Sequence, residues 1–193
     1  MIYLIRHGQS EWNLDRISQG QAEAPGLTEL GRAQALVSAD AVAADLAGAR
    51  SPAALFTSDL ARAAETADIV GSRFGLTPQV DSRLRERSLG RLDGLSYDET
   101  HAVVADLDWS DPELRVGGGE STREVYARAA AALSVLVELD APVLVVSHGD
   151  LIRAVLAIHS GLSAGQDFWA DVPNGSVAAL DGDGPVRWLS LAP

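Results

Sequence analysis

The sequence of 193 residues contains no cysteine and no lysine. Without cysteine, the chain can form no disulfide, offers no thiolate to a metal ion and has no cysteine nucleophile. Without lysine, all 15 basic residues are arginines, and 27 acidic residues bring the net charge to −12. Such an acidic chain disfavours nucleic acid and anionic membranes as partners. A negatively charged substrate must therefore be held by a local pocket that overrides the overall charge.

Long apolar runs are also missing, and no segment reaches the length needed to cross a membrane. An apolar strand pattern follows Met1 directly, which leaves no room for a cleavable leader, so we expect a cytoplasmic protein. Aromatic residues make up only 5% of the chain, but the hydrophobic fraction of 47% is sufficient for a packed core. The length favours one domain over residues 1–193.

Short apolar runs followed by turn residues predict strands at Ile2–Arg6, Ala53–Thr57 and Val143–Ser147. Weaker patterns at Ser176–Asp181 and Val186–Leu191 predict two further strands that could add an antiparallel edge.

Helical patterns lie between these strands, and most begin at a serine or threonine that can cap the helix. The predicted helices cover residues 29–46, 59–74, 97–107, 122–139 and 150–160. The alternation predicts an α/β fold, a three-layer sandwich with a mostly parallel central sheet flanked by helices.

Polar residues follow the predicted strands at the edge where open α/β sheets bind ligands. Arg6 and His7 end the first strand, Arg62 lies one turn into the helix after the second, and His148 follows the third. The glycine after each histidine permits close approach of the backbone to a bound group. One Arg-His-Gly alone is consistent with a structural strand end. Together, two histidines and two arginines beside helix N-termini indicate a phosphate site.

The motifs at these positions resemble those of the histidine phosphatase superfamily, in its phosphoglycerate mutase-like branch. The resemblance begins with LIRHGQSEWN at residues 4–13 and extends to about residue 176. Its further motifs are Gln19-Gly20, Leu27–Ala35, Ser58–Thr66, Leu84–Arg87, Gly118–Ser121 and Val145–Gly149.

This resemblance implies that His7 attacks phosphorus as a neutral imidazole and forms a phosphohistidine. Arg6, Arg62 and His148 would hold the phosphoryl oxygens, because charge stabilisation dominates phosphoryl transfer. Glu86 would protonate the leaving alkoxide and then accept a proton from water, which requires a raised pKa.

The remaining implied phosphate or substrate contacts are Asn13, Gln19, Gly20 and Gly149. Gln19-Gly20 is equally consistent with a simple turn. Ser58 is interpreted as a helix cap. No metal and no cofactor is implied.

The arginines around Glu86, namely Arg85, Arg87 and Arg91, are interpreted as solvated rather than as substrate contacts. Segment 88–118 would form a variable substrate cap. Its apolar residues and its acids Asp106, Asp108, Asp111 and Glu113 favour a partly apolar leaving group with little further negative charge.

Phosphomonoester hydrolysis of a small phosphorylated metabolite is the favoured function. Mutases of this branch carry a longer segment before the second histidine and bring a lysine and paired arginines to the substrate. This chain has no lysine, and Ser110-Asp111 follows Trp109 where those arginines would stand. Phosphoglycerate mutase remains the alternative, and a non-catalytic binding protein on the same fold is a second one. The oligomeric state is open.

Overall fold

The computed structural model describes residues 1–166 and 169–189. Within that part of the chain, one mixed sheet has the strand order β3-β2-β4-β1-β5-β6. The strands are β1 Ile2–Arg6, β2 Ala54–Thr57, β3 Gln79–Val80, β4 Val143–Ser147, β5 Val177–Leu180 and β6 Arg187–Trp188. The first four run parallel to one another, whereas β5 and β6 form an antiparallel edge, as the sequence pattern predicts.

Helices cover both faces of this sheet. They are α1 Glu11–Leu14, α2 Glu29–Asp45, α3 Ala61–Phe74, α4 Tyr97–Val104, α5 Thr122–Leu136 and α6 Gly149–His159. Short 3₁₀ turns lie at Ser82–Leu84, Gly90–Leu92 and Val116–Gly118. The predicted three-layer α/β sandwich with a mostly parallel sheet is confirmed.

Alternation along β1 explains the two apolar layers. Ile2 and Leu4 point into the core shared with α5 and α6, while Tyr3 and Ile5 point into the core shared with α2 and α3. Successive strand residues face opposite sides of a sheet, so a strand buried on both faces reads as a continuous apolar run. Among the described residues, no helix combines the length and hydropathy needed to traverse a bilayer.

Serine and threonine caps start three helices where the sequence predicts them. Thr28 accepts from the Gly31 amide at 3.0 Å, and Ser96 and Ser121 each form a reciprocal capping box with a glutamate. The predicted cap of α3 is wrong. That helix begins at Ala61, two residues later than expected, and Ser58 makes no bond to its amides.

The terminal strand is also shorter than predicted, since β6 covers only Arg187–Trp188. The last two residues of the predicted strand 186–191 lie outside the described part of the chain.

Candidate active site

The carboxyl ends of three adjacent strands bring the motif residues together. In the register of β1 with β4, Arg6 lies opposite Ser147, and the His7 amide donates to the Ser147 carbonyl at 3.0 Å. His7 and His148 therefore leave the sheet side by side, with their ring centroids 5.0 Å apart. β2 lies on the other side of β4 and leads through a short loop to Arg62 in the first turn of α3.

His7 is held as a neutral imidazole. Its Nδ1 lies 2.7 Å from the Gly8 carbonyl oxygen, which can only accept, so Nδ1 carries the proton and Nε2 keeps its lone pair. The ring is buried, and burial together with the charges of Arg62 and Arg6 holds the pKa of His7 well below 6.5. A buried imidazole with a free Nε2 is equipped to act as a nucleophile.

His148 is fully buried, and its Nε2 lies 2.6 Å from the Ser58 hydroxyl. Its Nδ1 has no hydrogen-bond partner among the residues that the structure describes. Burial and the charge of Arg62 hold the pKa of His148 well below its usual value. Ser58 thus belongs to the site rather than to the cap of α3, and one nitrogen of His148 remains available to a ligand.

Arg62 is a buried cation fixed by backbone carbonyls. Its Nη1 donates to the Ala22 carbonyl at 3.0 Å and its Nη2 to the Gly20 carbonyl at 2.8 Å. Burial lowers the pKa of Arg62 to about 10, so the side chain stays protonated at neutral pH. Only part of its planar donor set is used by the backbone, and its Nε has no partner within the described chain. This geometry leaves donors for an anion.

Asn13 connects the first motif to the end of the chain. Its Oδ1 accepts from the Ser10 amide at 3.1 Å and from Asn174 Nδ2 at 3.2 Å, while its Nδ2 donates one N–H to the Tyr97 hydroxyl at 3.4 Å and has a second N–H for a ligand. Asn174 also donates to the His7 carbonyl at 3.1 Å. The turn pair Asn174-Gly175 therefore supports the histidine loop, a role that its sequence alone did not suggest.

Glu86 lies opposite the two arginines. Its Oε1 accepts from the Arg87 amide at 2.8 Å and from the Asp150 amide at 3.1 Å. Burial, followed by the charge of Asp150, raises the pKa of Glu86, and Arg6 and Arg62 oppose that rise. A carboxyl group with a raised pKa can hold a proton closer to neutral pH, as a general acid must.

Arg128 fastens the loop that carries Glu86. Its guanidinium donates to the carbonyl of Arg83 at 2.9 Å, to that of Glu86 at 2.9 Å and to the Glu120 carboxylate at 2.8 Å. Glu120 in turn accepts from the Ser88 amide at 2.9 Å. These contacts, together with the bond from Gln21 Nε2 to the Glu86 carbonyl at 2.8 Å, set the position of the loop.

A cavity of about 170 Å³ lies between these groups. The predicted residues that line it are Arg6, His7, Asn13, Gln19, Gly20, Arg62 and Glu86. Gln19 points its Oε1 at the Ser10 hydroxyl, 2.7 Å away. His148 is not among the lining residues, although its ring centroid is 5.0 Å from that of His7.

The glycine after His7 acts differently from the expectation. A Cβ on Gly8 would lie 2.1 Å from the Gly31 carbonyl oxygen, so Gly8 makes room for the start of α2 rather than for a ligand. Gly149 is not among the residues that line the cavity, and a Cβ there would lie 3.2 Å from Arg153 Nη1. Its contact with the phosphate stays a prediction.

Two charged residues at the cavity were not anticipated. Arg87 is buried and lines the cavity, so its interpretation as a solvated side chain is wrong. Arg85, by contrast, pairs with Asp59 at 2.5 Å, and Arg91 is exposed. Asp150 lines the same cavity from the first turn of α6, a position that its place after His148-Gly149 could have indicated.

Comparisons with known proteins agree with this arrangement. The family model of the histidine phosphatase superfamily (branch 1) matches residues 2–191. Glucosyl-3-phosphoglycerate phosphatase from Mycobacterium tuberculosis is 36% identical in an alignment with a length of 204 residues, which covers 99% of this chain and 84% of that protein. Probable phosphoglycerate mutase GpmB from Cronobacter sakazakii is 34% identical, over 93% of this chain and 84% of the relative.

A solved structure gives the same result in three dimensions. Mycobacterial glucosyl-3-phosphoglycerate phosphatase in complex with VO3 superposes with a TM-score of 0.79 at 34% identity, covering 97% of this chain and 95% of the other. The family resemblance inferred from the motifs is thereby confirmed, and the chain belongs to the histidine phosphatase superfamily, branch 1.

Proposed function

We propose that this protein hydrolyses a small phosphorylated metabolite through a phosphohistidine on His7. The observation that carries the proposal is the His7 Nδ1 contact with the Gly8 carbonyl, which leaves Nε2 unprotonated in a buried site beside two arginines. The names of the mycobacterial relatives support phosphate ester hydrolysis as the reaction class.

In the first step, His7 Nε2 attacks phosphorus and the ester P–O bond breaks. Arg6, Arg62 and His148 Nδ1 stabilise the charge on the phosphoryl oxygens. The leaving alkoxide takes the proton of Glu86, and the alcohol departs.

In the second step, water attacks the phosphohistidine. The Glu86 carboxylate, formed in the first step, accepts a proton from that water, the P–N bond breaks and inorganic phosphate leaves. The site returns to its starting state with a protonated Glu86 and a neutral His7. Asn13, Gln19 and Gly20 would contact the phosphoryl group or the ester oxygen at the mouth of the cavity.

We also infer that residues 1–193 form one domain in which segment 88–118 acts as a variable substrate cap. Leu89 and Tyr97 from this segment line the catalytic cavity, and Trp109 and Ser110 line the larger cavity beside it. The cytoplasmic location and the absence of nucleic-acid partners stay predictions from composition.

Trapping the intermediate tests the proposed function. Wild-type protein incubated briefly with a ³²P-labelled phosphomonoester and quenched in base should carry the label on His7. His7→Ala should carry none and release no phosphate, while His101→Ala, which changes an exposed histidine on α4, should behave as wild type. A label that survives an acid quench but is lost in base marks an acyl phosphate on an acidic residue, and with His7 unlabelled it would overturn the assignment.

Product analysis separates hydrolysis from the mutase alternative. We expect phosphate release to exceed transfer between the carbons of phosphoglycerate, because Ser110-Asp111 stands where mutases place two arginines. Transfer without release would favour the mutase.

A further inference from the structure

A second cavity, of about 740 Å³, lies next to the catalytic one. Arg87 and Asp150 line both cavities, so the two are neighbours across these side chains. The catalytic cavity, at about 170 Å³, is below the usual range for a whole small-molecule site, whereas the second cavity falls within it. The phosphoryl group fits the first cavity, and the second cavity, which is larger than the cavity of about 410 Å³ that shares Ser18 and Tyr97 with the first, has room for the rest of an ester.

Three aromatic side chains contribute to the walls of this second cavity. Trp109, Tyr126 and Trp169 line it, and the two tryptophans are 50% and 76% exposed. Exposed tryptophans that gather around one cavity mark a binding surface, because each leaves a large apolar face in water.

The Trp169 ring packs against the guanidinium group of Arg153. The guanidinium carbon of Arg153 lies 4.5 Å from the centre of its ring, and Arg153 itself donates to the Ala170 carbonyl at 3.0 Å and to Asp150 at 2.9 Å. The cation is thus anchored to α6 and stacked on the indole. Asp150 faces both Arg153 and Arg87, so the charged residues of the lining carry one net positive charge.

Uncharged polar groups complete the lining. Ser110, Thr122 and Gln166 offer hydroxyl and amide groups between the aromatic faces. The cap acids do not serve this purpose, since Asp106, Asp108, Asp111 and Glu113 line neither of the two cavities as described. The lining of the two cavities therefore gives no support to the sequence-based argument from these acids, and the small negative charge of the leaving group stays a prediction.

We propose that this second cavity binds the leaving alcohol of the substrate and selects an alcohol that carries a ring with an apolar face, with Trp109 and Trp169 as the specificity-determining residues. Aryl groups present such a face through their planar ring and pyranose groups through their C–H bonds, and either can pack on an indole while the polar groups bind its substituents. This inference rests on the proposed phosphatase function and deepens it.

Three esters with a common two-carbon linker test the proposal: ethyl phosphate, 2-phenylethyl phosphate and 2-(glucopyranosyloxy)ethyl phosphate. All three leave as primary alkoxides, so their demand on Glu86 is closely matched. We expect kcat/KM for at least one ring-bearing ester to exceed that for ethyl phosphate by roughly tenfold or more. The ester with the larger ratio of kcat/KM to that of ethyl phosphate shows whether the cavity prefers an aryl or a pyranose group.

Variants then locate the effect. In Trp169→Ala and in Trp109→Ala, the kcat/KM of the ring-bearing ester divided by that of ethyl phosphate should move towards one. Trp188→Ala, which changes an exposed tryptophan on β6 outside the cavity, should keep the wild-type ratio.

Equal kcat/KM for all three esters in the wild type would overturn the ring-binding proposal while leaving the phosphatase intact. So would an unchanged ratio in both tryptophan variants. If no ester were hydrolysed and no phosphohistidine formed, the proposed function would fail, and this inference with it.

Discussion

The hydroxyl oxygen of Ser58 lies 2.6 Å from Nε2 of His148, and both side chains are fully buried. When this hydroxyl donates to Nε2, the proton of a neutral His148 resides on Nδ1, the nitrogen that has no partner in the described chain. Nδ1–H can then donate to a phosphoryl oxygen. We therefore predict that Ser58 is a positioning residue, which acts through the tautomer of His148.

Ser58→Ala should lower kcat/KM by roughly tenfold, because the common Nε2–H tautomer would turn a lone pair towards the phosphoryl group. Nitrogen-15 NMR of the orthovanadate complex should show Nδ1 of His148 protonated in the wild type and a shift in the variant. Ser58→Thr keeps the hydroxyl and should retain the wild-type tautomer. Ser72→Ala, on the exposed side of α3, is the matched control. An unaltered tautomer in Ser58→Ala would contradict this role.

Arg62→Lys should reduce kcat by roughly tenfold or more despite keeping the charge. A lysine cannot bind the carbonyls of Gly20 and Ala22 and still present two coplanar donors to a phosphoryl group. Arg73→Lys, a change on the same helix at an arginine paired with Asp40 on the surface, should leave steady-state kinetics unchanged. Equal kinetics in both variants would place Arg62 outside the chemistry.

Glu86→Gln should slow phosphoenzyme formation from alkyl phosphates by roughly a hundredfold, because an alkoxide needs a proton as it leaves. Nitrophenyl phosphate should suffer far less, since nitrophenolate leaves without one. Dephosphorylation is common to both substrates, so burst kinetics are required to isolate the first step. Glu29→Gln changes an exposed carboxylate at the start of α2 and serves as the control.

Equal slowing of phosphoenzyme formation for both leaving groups would remove Glu86 as the general acid. The other carboxylate that lines the cavity beside it is Asp150, which would then be the next candidate. Glu11 and Glu120, the other acids within the sequence motifs, are less suitable, since Glu11 is exposed and Glu120 is bound by Arg128.

Asp150→Asn should shift the pH dependence of the first step. Protonated Glu86 supplies the proton, so phosphoenzyme formation from ethyl phosphate falls as the pH rises through the pKa of Glu86. The charge of Asp150 raises that pKa, and its removal should therefore move the alkaline limb to lower pH. Asp98→Asn, at a highly exposed carboxylate, should leave the limb in place. A limb that stays fixed or moves upward in Asp150→Asn would show that the two carboxylates are not coupled.

Much of this fold could be predicted because its signals are local. The runs at Ile2–Arg6 and Val143–Ser147 are apolar up to their last residue, as is typical of strands buried on both faces, and they match β1 and β4. Capping boxes at Ser96 and Ser121 likewise depend on residues three positions apart. The motif residues converge because they follow neighbouring strands.

Features that depend on tertiary contacts escaped prediction. Ser58 has the sequence signature of a cap, yet its hydroxyl binds a histidine 90 positions away. In the sequence, Arg87 resembles the surface arginines near it. Its burial follows from tertiary contacts with Thr122 and Asp150. The two-residue strand β3 is too short to show a period, and the second cavity exists only where α5, α6 and the cap segment meet.

The central position of β1 has a consequence for the folding of the enzyme. This strand is among the first residues of the chain, yet both of its sheet neighbours, β4 and β5, come from residues beyond 142. Pairings of such high sequence separation form slowly, because loop closure must precede the contacts that reward it. A nascent chain that ends before β4 holds the first histidine and Arg62 without the strand that aligns them. After dilution from denaturant, phosphate release should therefore recover only when β1 has paired with β4 and β5. This recovery should lag behind the return of the helical circular dichroism signal.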